Sequence, residues 1–321
     1  MMPATHSASI RSRLASTDPE VRRIAVMDLL DSDEDDIDQH LLDALQDADA
    51  RVRAEAARLL EGYETPTVVD GLIGVLDDDS AEVREAAAVS LSELKDAAMG
   101  DRLLAALPAS SSSFMRASLF RALRELRRPE AFAPALAALG ADAVDVRCAA
   151  LGVLGYLKNP AALQDIARIA GSDADAEARR IAIGALGFAA ESTAVVPAMK
   201  RALVDASWQV REEAAATLGK LRATEAVEDL IAAMADPYWQ VRLKAARSLG
   251  RLKARPALPV LIEALGHAMS NLRKEAAVAL GEVGDAAAIP ALENALDDSD
   301  PDVRKLARLA LTQLSKMRST T

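Results

Sequence analysis

The side chains with the most reactive chemistry are few: three histidines, His6, His40 and His267, and a single cysteine, Cys148. The histidines lie far apart and none is followed by Glu, so neither an H-E-x-x-H zinc motif nor a His-Glu pair forms. One cysteine allows no internal disulfide and no Cys pair for a metal, and it fits a reducing compartment. Neither G-x-S-x-G nor G-x-x-x-x-G-K-[ST] occurs. DSDEDDIDQH places six acids between Asp31 and Asp38, and Asp31, Asp33 and Asp35 alternate as at the opening of a calcium loop. Asp36 stands where that loop requires Gly and Leu42 where it requires a bidentate Glu, so a solvated loop between helices is expected. These residues predict no catalytic group, no metal ligand and no cofactor.

What recurs instead is an arginine. SWQVR ends at Arg211 and YWQVR at Arg242, and these two pentapeptides hold the chain's only tryptophans, Trp208 and Trp239. The same arginine returns at Arg22, Arg53, Arg84, Arg116, Arg147, Arg179, Arg211, Arg242, Arg273 and Arg304, at intervals of 31 or 32 residues. The chain is therefore ten copies of one unit. A small residue follows most of these arginines by three positions and an apolar one, usually Leu, by seven. Gly155, Gly187, Gly219, Gly250 and Gly281 follow by eight.

One copy, ATEAVEDLIAAMADPYWQVRLKAARSLGRL, shows what must position these side chains. Val227, Leu230, Ile231 and Met234 form one helical stripe, ADP punctuates, and Val241, Ala245, Ala246 and Leu249 form a second. Neither helix can bury its stripe alone, so hairpins must stack, and abundant Ala lets their axes approach closely. Pro197, Pro259 and Pro290 fall near the starts of first helices, where a missing N–H costs little. An acid stands six residues before the arginine in six copies, as Asp47, Asp78, Asp173, Asp205, Asp236 and Asp298. The spacing predicts that it caps the second helix and meets an arginine of its own or the next repeat, forming a ladder. Ser16, Ser110, Ala141 and His267 replace it in repeats 1, 4, 5 and 9. PASSSSFMR, residues 108–116, interrupts the ladder and predicts a joint.

Composition agrees with stacked helices, since 51% of residues are apolar but only 3% aromatic. The net charge of -11 is carried by the first hundred residues, which sum to -14, whereas residues 101–200 and 201–321 sum to +2 and +1. No apolar run reaches the roughly 20 residues a bilayer demands, and MMPATHSASIRSRLAS lacks the apolar core of a signal peptide, so a cytoplasmic protein with no membrane contact is expected.

The pattern D-x-x-x-x-V-R-x-x-A-A-x-x-L-G, preceded by helices such as LIEAL (Leu261 to Leu265), resembles the short HEAT-like repeats first noted in phycobilin lyase subunits. The resemblance implies an all-α, right-handed solenoid of about ten two-helix repeats. It also implies that second helices line a concave face whose residues vary with the ligand. Residues 1–321 are accordingly expected to form one repeat domain, with 315–321 as a flexible tail. The scaffold serves adaptors, cofactor lyases, hydroxylases and DNA-repair enzymes, so it does not fix an activity.

The free face follows from helical spacing. With the arginine as zero, positions -1, +3, +4 and +7 are core, while -3, +1, +5 and +9 make an exposed stripe. Repeat 4 contributes Phe114 and Arg121, repeat 5 Cys148, Gly152 and Tyr156, and repeat 6 Arg180, Gly184 and Phe188. Repeat 7 adds Trp208, Gln209 and Glu212, and repeat 8 adds Trp239, Gln240, Leu243, Arg247 and Arg251. Five of the nine aromatics gather here, an unusual density for an unused surface. Gly152 and Gly184 each cost their helix about 1 kcal/mol against Ala, which predicts a close approach to the backbone. Second helices about 10 Å apart would let Trp208 and Trp239 clasp a planar or aliphatic group. If the rings cover the turn instead, they are core.

The expected function is a non-enzymatic scaffold holding another protein's segment in the groove of repeats 4–8. The arginines of repeats 4 and 8 suit an acidic peptide or a carboxylate-bearing planar ligand. The alternative is a bilin-type chromophore lyase or chaperone, with the rings on the ligand plane and Cys148 nearby. Nucleic-acid binding or DNA repair ranks third and is disfavoured, because the acidic first third repels phosphate.

Overall fold

The computed structural model describes residues 10–32, 36–189 and 195–319, with side chains as far as residue 316. His6 and the acids Asp33, Glu34 and Asp35 of the candidate calcium loop lie outside the described residues. Among the described residues the chain is helical without strands, and no helix is long and apolar enough to cross a membrane.

Each repeat is built as its sequence predicts. In repeat 8 the first helix is Val227–Ala233 and the second Trp239–Arg251; in repeat 9 they are Leu258–Ala264 and Ser270–Val283. First helices of repeats 4, 5, 6, 8, 9 and 10 open on a short 3₁₀ turn, as at Arg255–Ala257, and Pro stands in the first turn in repeats 3, 7, 9 and 10. Second helices begin where polar residues satisfy free N–H groups: the side chains of Asp18, Asp49, Asp175 and Ser112 accept from backbone N–H groups one turn in.

The repeats fall into two compact units, Met1–Leu157 and Lys158–Thr321. Within each unit consecutive second helices pack on one another, and from repeat 2 onward each also packs on the first helix of its own repeat. That stacking is an α-solenoid. The core is the expected one: Val52, Val83, Val210 and Val241 at position -1, the Ala pairs 56/57, 214/215 and 245/246, and Leu60, Leu91, Leu218 and Leu249 at +7 are buried.

In repeats 7, 8 and 9 the glycine eight residues after the arginine marks a close approach between second helices. A Cβ on Gly250 would sit 2.8 Å from Ala279 Cα, and one on Gly281 would sit 3.1 Å from Ala310 Cα. On Gly219 it would collide with Ser248, whose hydroxyl crosses to donate to the Ala215 carbonyl at 2.7 Å.

Candidate partner-binding surface

The arginines form rungs between repeats. In Arg22–Asp47, Arg53–Asp78, Arg179–Asp205, Arg211–Asp236 and Arg273–Asp298, Nε and Nη2 donate to the two carboxylate oxygens at 2.6–3.0 Å. The third nitrogen, Nη1, ties the arginine's own turn, as when Arg53 donates to the carbonyls of Asp47 and Ala48 at 2.8 and 3.2 Å. Two expectations need correction. The acid meets the arginine of the preceding repeat, not that of its own or the next one. Nor is it the helix cap, for it stands two residues earlier and accepts that residue's N–H, as Asp47 does from Asp49 at 2.8 Å. The rung arginine holds the carboxyls of Asp47, Asp78, Asp205 and Asp298 below their ordinary value. For Asp236 burial is the largest influence and pushes upward, but Arg211 and the Tyr238 N–H outweigh it, so this carboxyl too is lowered.

Where the acid is missing, other groups answer. Arg116 turns to Ser110 of its own repeat, with Nε 2.9 Å from the hydroxyl and Nη2 3.2 Å from the carbonyl. Arg84 lies over the Phe114 ring, 5.8 Å from its centroid. Phe114 is thus one position off the stripe: it stands two residues before Arg116, in the register of Gln209 and Gln240, and serves the interrupted ladder.

In the first unit, Arg121 is exposed and Cys148 is half-buried outside any disulfide. Tyr156 is held by Arg127, whose Nε donates to its hydroxyl at 2.7 Å while the guanidinium sits 5.2 Å from the ring centroid. The group near the Gly152 backbone is the Arg124 side chain, 3.5 Å from where a Cβ would stand. In the second unit the equivalent neighbour of Gly184 is the Glu213 carboxylate, at 3.1 Å. At Gly152 this is ordinary van der Waals contact, and only at Gly184 is the neighbour tight.

Further along the second unit, Arg180 pairs with Glu177 at 2.6 Å and Arg247 grips Glu275 at 3.0 and 2.6 Å. Glu212 lies 3.7 Å from Lys244, and Gln209 accepts from the Ser207 hydroxyl at 2.7 Å. Phe188, Trp239, Gln240 and Leu243 are half-buried, and Arg251 is exposed. Trp208 stacks on Tyr238, with centroids 5.4 Å apart and planes 13° from parallel. The ring paired with Trp208 is therefore Tyr238, one residue before the Trp239 that the repeat register selected. The Arg211 guanidinium also lies over the Tyr238 ring, 5.7 Å from its centroid.

A family model of HEAT repeats matches residues 7–92, 37–124, 100–187, 167–240 and 227–312, overlapping windows that span nearly the whole sequence. The chain belongs to the HEAT-repeat family. Solved structures of similar fold include an engineered protein, 21% identical over 96% of this chain and 98% of that one, with a TM-score of 0.56. Escherichia coli YibA is 19% identical over 94% of this chain and 98% of its own, with a TM-score of 0.55. A chain from the structure of Kap95p with RanGDP is 13% identical, matching 98% of this chain and 50% of that one, with a TM-score of 0.67. No curated protein matches the sequence significantly.

This HEAT-repeat chain also carries a feature that the stripe did not predict. A cleft of about 740 Å³ lies along the C-terminal ends of its last second helices. Gly219, Gly250 and Gly281 line it together with the cations Lys220, Arg222, Arg251, Lys253 and Lys316 and with Glu282. Burial, and then the charge of Glu275, raises the Glu282 carboxyl above its ordinary value. Arg222 and Lys253 occupy the left-handed region at φ 53° and 51°. They close their helices with the turn usually made by Gly, in which Ala223 N–H reaches the Leu218 carbonyl at 3.1 Å and Ala254 N–H reaches that of Leu249 at 3.0 Å. The sequence signal was available: a cation recurs eleven residues after the arginine, as Arg127, Lys158, Arg222 and Lys253.

Proposed function

We propose that this protein is a non-enzymatic scaffold that holds an extended segment of another protein against the second-helix stripe of its repeats. The observation that carries this reading is the partly covered stack of Trp208 on Tyr238, with the half-buried Trp239 next in the chain and Leu243 and Arg247 one and two turns further along the same helix. Partly covered Trp, Tyr and Arg side chains on a rigid frame are the usual anchors of a protein interface. A series of shallow sites spaced by a repeat suits an extended segment better than a turnover reaction. The relatedness in fold to Kap95p, which binds RanGDP, supports the class of function and not the partner.

The chromophore-lyase reading implied by the phycobilin-type repeats has less support. Tyr238 already stacks on Trp208, and Arg180 and Arg247 already hold Glu177 and Glu275, so neither a plane nor a ligand carboxylate finds these groups free. Nucleic-acid binding has least support, given the net charge of -11.

The test is affinity capture from the native lysate with wild type and with the Trp208→Ala/Trp239→Ala variant, followed by mass spectrometry and absorbance of the eluate. A protein lost only from the variant supports the scaffold, and segments of it should shift the emission of the two tryptophans. The double variant should bind at least about 10-fold more weakly with unchanged helicity and melting temperature. Unfolding of the variant would make the rings core, and a coloured eluate without a protein partner would favour the lyase.

A further inference from the structure

The ladder fails in one place without a substitute. Arg242 is a rung arginine, but the next repeat presents His267 where a rung requires Asp. Its Nε is buried and has no hydrogen-bond partner. Arg116, which also lacks an acid, is satisfied by Ser110 at 2.9 Å; Arg242 has no such neighbour.

His267 does not stand in as an acceptor. Its Nδ1 already accepts the Met269 N–H at 3.0 Å, the bond that a rung Asp makes to the same backbone position. Burial, and then the charge of Arg242, holds its pKa below the ordinary histidine value, so at neutral pH the ring is uncharged with its proton on Nε2. Guanidinium and imidazole thus both line one cavity of about 360 Å³ as donors. Its remaining walls include Ile231, Met234, Val260 and Leu272, and Glu263 stands exposed at its edge. One repeat earlier, the corresponding cavity of about 460 Å³ is lined by Arg211 together with its own acid, Asp236.

We propose that the cavity between repeats 8 and 9 is a carboxylate-binding site, in which an external carboxylate takes the place on Arg242 that Asp236 occupies on Arg211. The aliphatic walls select a carboxylate carried on a short apolar group. Two sources share that chemistry: the C-terminus of a chain ending in an aliphatic residue, and a free aliphatic carboxylate. The site lies apart from the ring group of the stripe, so it stands or falls independently of the scaffold reading.

The experiment is calorimetric titration of the full chain with hexanoate and with a hexapeptide ending in Leu, its C-terminus free or amidated. The arginine Nε–H resonances are followed in parallel by NMR, with Arg242 assigned from Arg242→Gln. Binding should move the Arg242 Nε–H signal and weaken by about 10- to 100-fold in Arg242→Gln. His267→Asp supplies an internal carboxylate, so it should abolish binding and raise the melting temperature. Glu263→Gln should bind at least as tightly as wild type, and Trp208→Ala/Trp239→Ala should be unaffected.

Preference for the free over the amidated peptide, with hexanoate weaker, identifies a chain end; hexanoate as tight as the peptide identifies a small carboxylate. No binding of either ligand, or equal binding in wild type and His267→Asp, overturns the proposal. Should Arg242→Gln fail to fold, His267→Asp still decides, because it completes a rung instead of breaking one.

Discussion

Removal of one rung acid tests whether the ladder holds the repeats together. Asp236 and Arg211 are 7% and 12% exposed at their side chains, and they meet at 2.6 and 3.0 Å. Asp236→Ala strands Nε and Nη2 of a largely buried guanidinium and leaves it only the carbonyls of Asp205 and Ala206, at 2.8 and 3.2 Å. The Tyr238 N–H also loses its acceptor at 2.9 Å. Breaking a buried pair from one side costs about 3–5 kcal/mol. Residual access to water places this case near the lower end, about 3 kcal/mol. The control is Asp70→Ala, whose partner Arg102 lies 3.0 Å away with both side chains about half exposed, and such a pair contributes about 1 kcal/mol or less.

Urea unfolding followed by helical ellipticity measures both variants. Hydrogen exchange should locate the loss, since a stacked-repeat chain opens by neighbouring segments. In Asp236→Ala the amides of residues 208–251 should exchange faster than those of the first unit. Trp208 emission should change as well, because Tyr238 loses its anchor. Asp236→Asn, which keeps an acceptor for the Tyr238 N–H, should fall between. Equal losses in Asp236→Ala and Asp70→Ala would refute the reasoning and leave the rungs as solvated surface pairs.

Gly250→Ala should destabilise by about 1–3 kcal/mol, because the added Cβ meets Ala279 Cα at 2.8 Å, whereas Gly74→Ala, with nothing within 4 Å, should stabilise by about 0.5–1 kcal/mol; chemical denaturation compares them. Lys253→Gly should stabilise by about 0.5–1 kcal/mol, since φ of 51° strains a side-chain-bearing residue; a loss would show that the lysine side chain is held for its contacts. The rung carboxyls titrate below their ordinary value of 3.8, so their contribution is full above that pH and disappears as pH falls through the lower folded values. The rungs' share of the melting temperature should therefore be flat from about pH 7 to 5 and fall below about pH 4, which a rung-acid variant read against wild type isolates. Glu282 has the opposite sign: its raised carboxyl favours folding when protonated, and that contribution is lost as pH rises through the folded value. Glu282→Gln should accordingly raise the melting temperature at pH 7 and leave it unchanged under strong acid.

Periodicity made the fold legible because an arginine spaced at 31 or 32 residues repeats a whole supersecondary unit, and its neighbours at -1, +3, +4 and +7 are the core that the structure buries. Spacing along one helix cannot show how far successive hairpins are staggered. That stagger decides that Asp236 meets Arg211 and that Tyr238, not Trp239, stacks on Trp208. It also brings Arg124 and Glu213 over Gly152 and Gly184. The substitution of His267 for the rung acid was visible in the sequence, but its meaning was not, because only the packed structure shows that Arg242 finds no replacement.

Because each rung joins an arginine to the acid of the following repeat, the ladder acts as a compatibility rule for rearranging the chain. All ten repeats offer the arginine, so a repeat that brings its own Asp can be duplicated or moved behind any other and will find its bond waiting. Repeats 4, 5 and 9 lack the acid, so the arginine before each has no rung: Arg84 and Arg116 are met by other groups, and Arg242 is not. Excision of the 31 residues 243–273 would place Asp298 after Arg242 and join the two ends with a complete rung. A repeat array wired in this way can change length by whole units while keeping the chemistry of its joints.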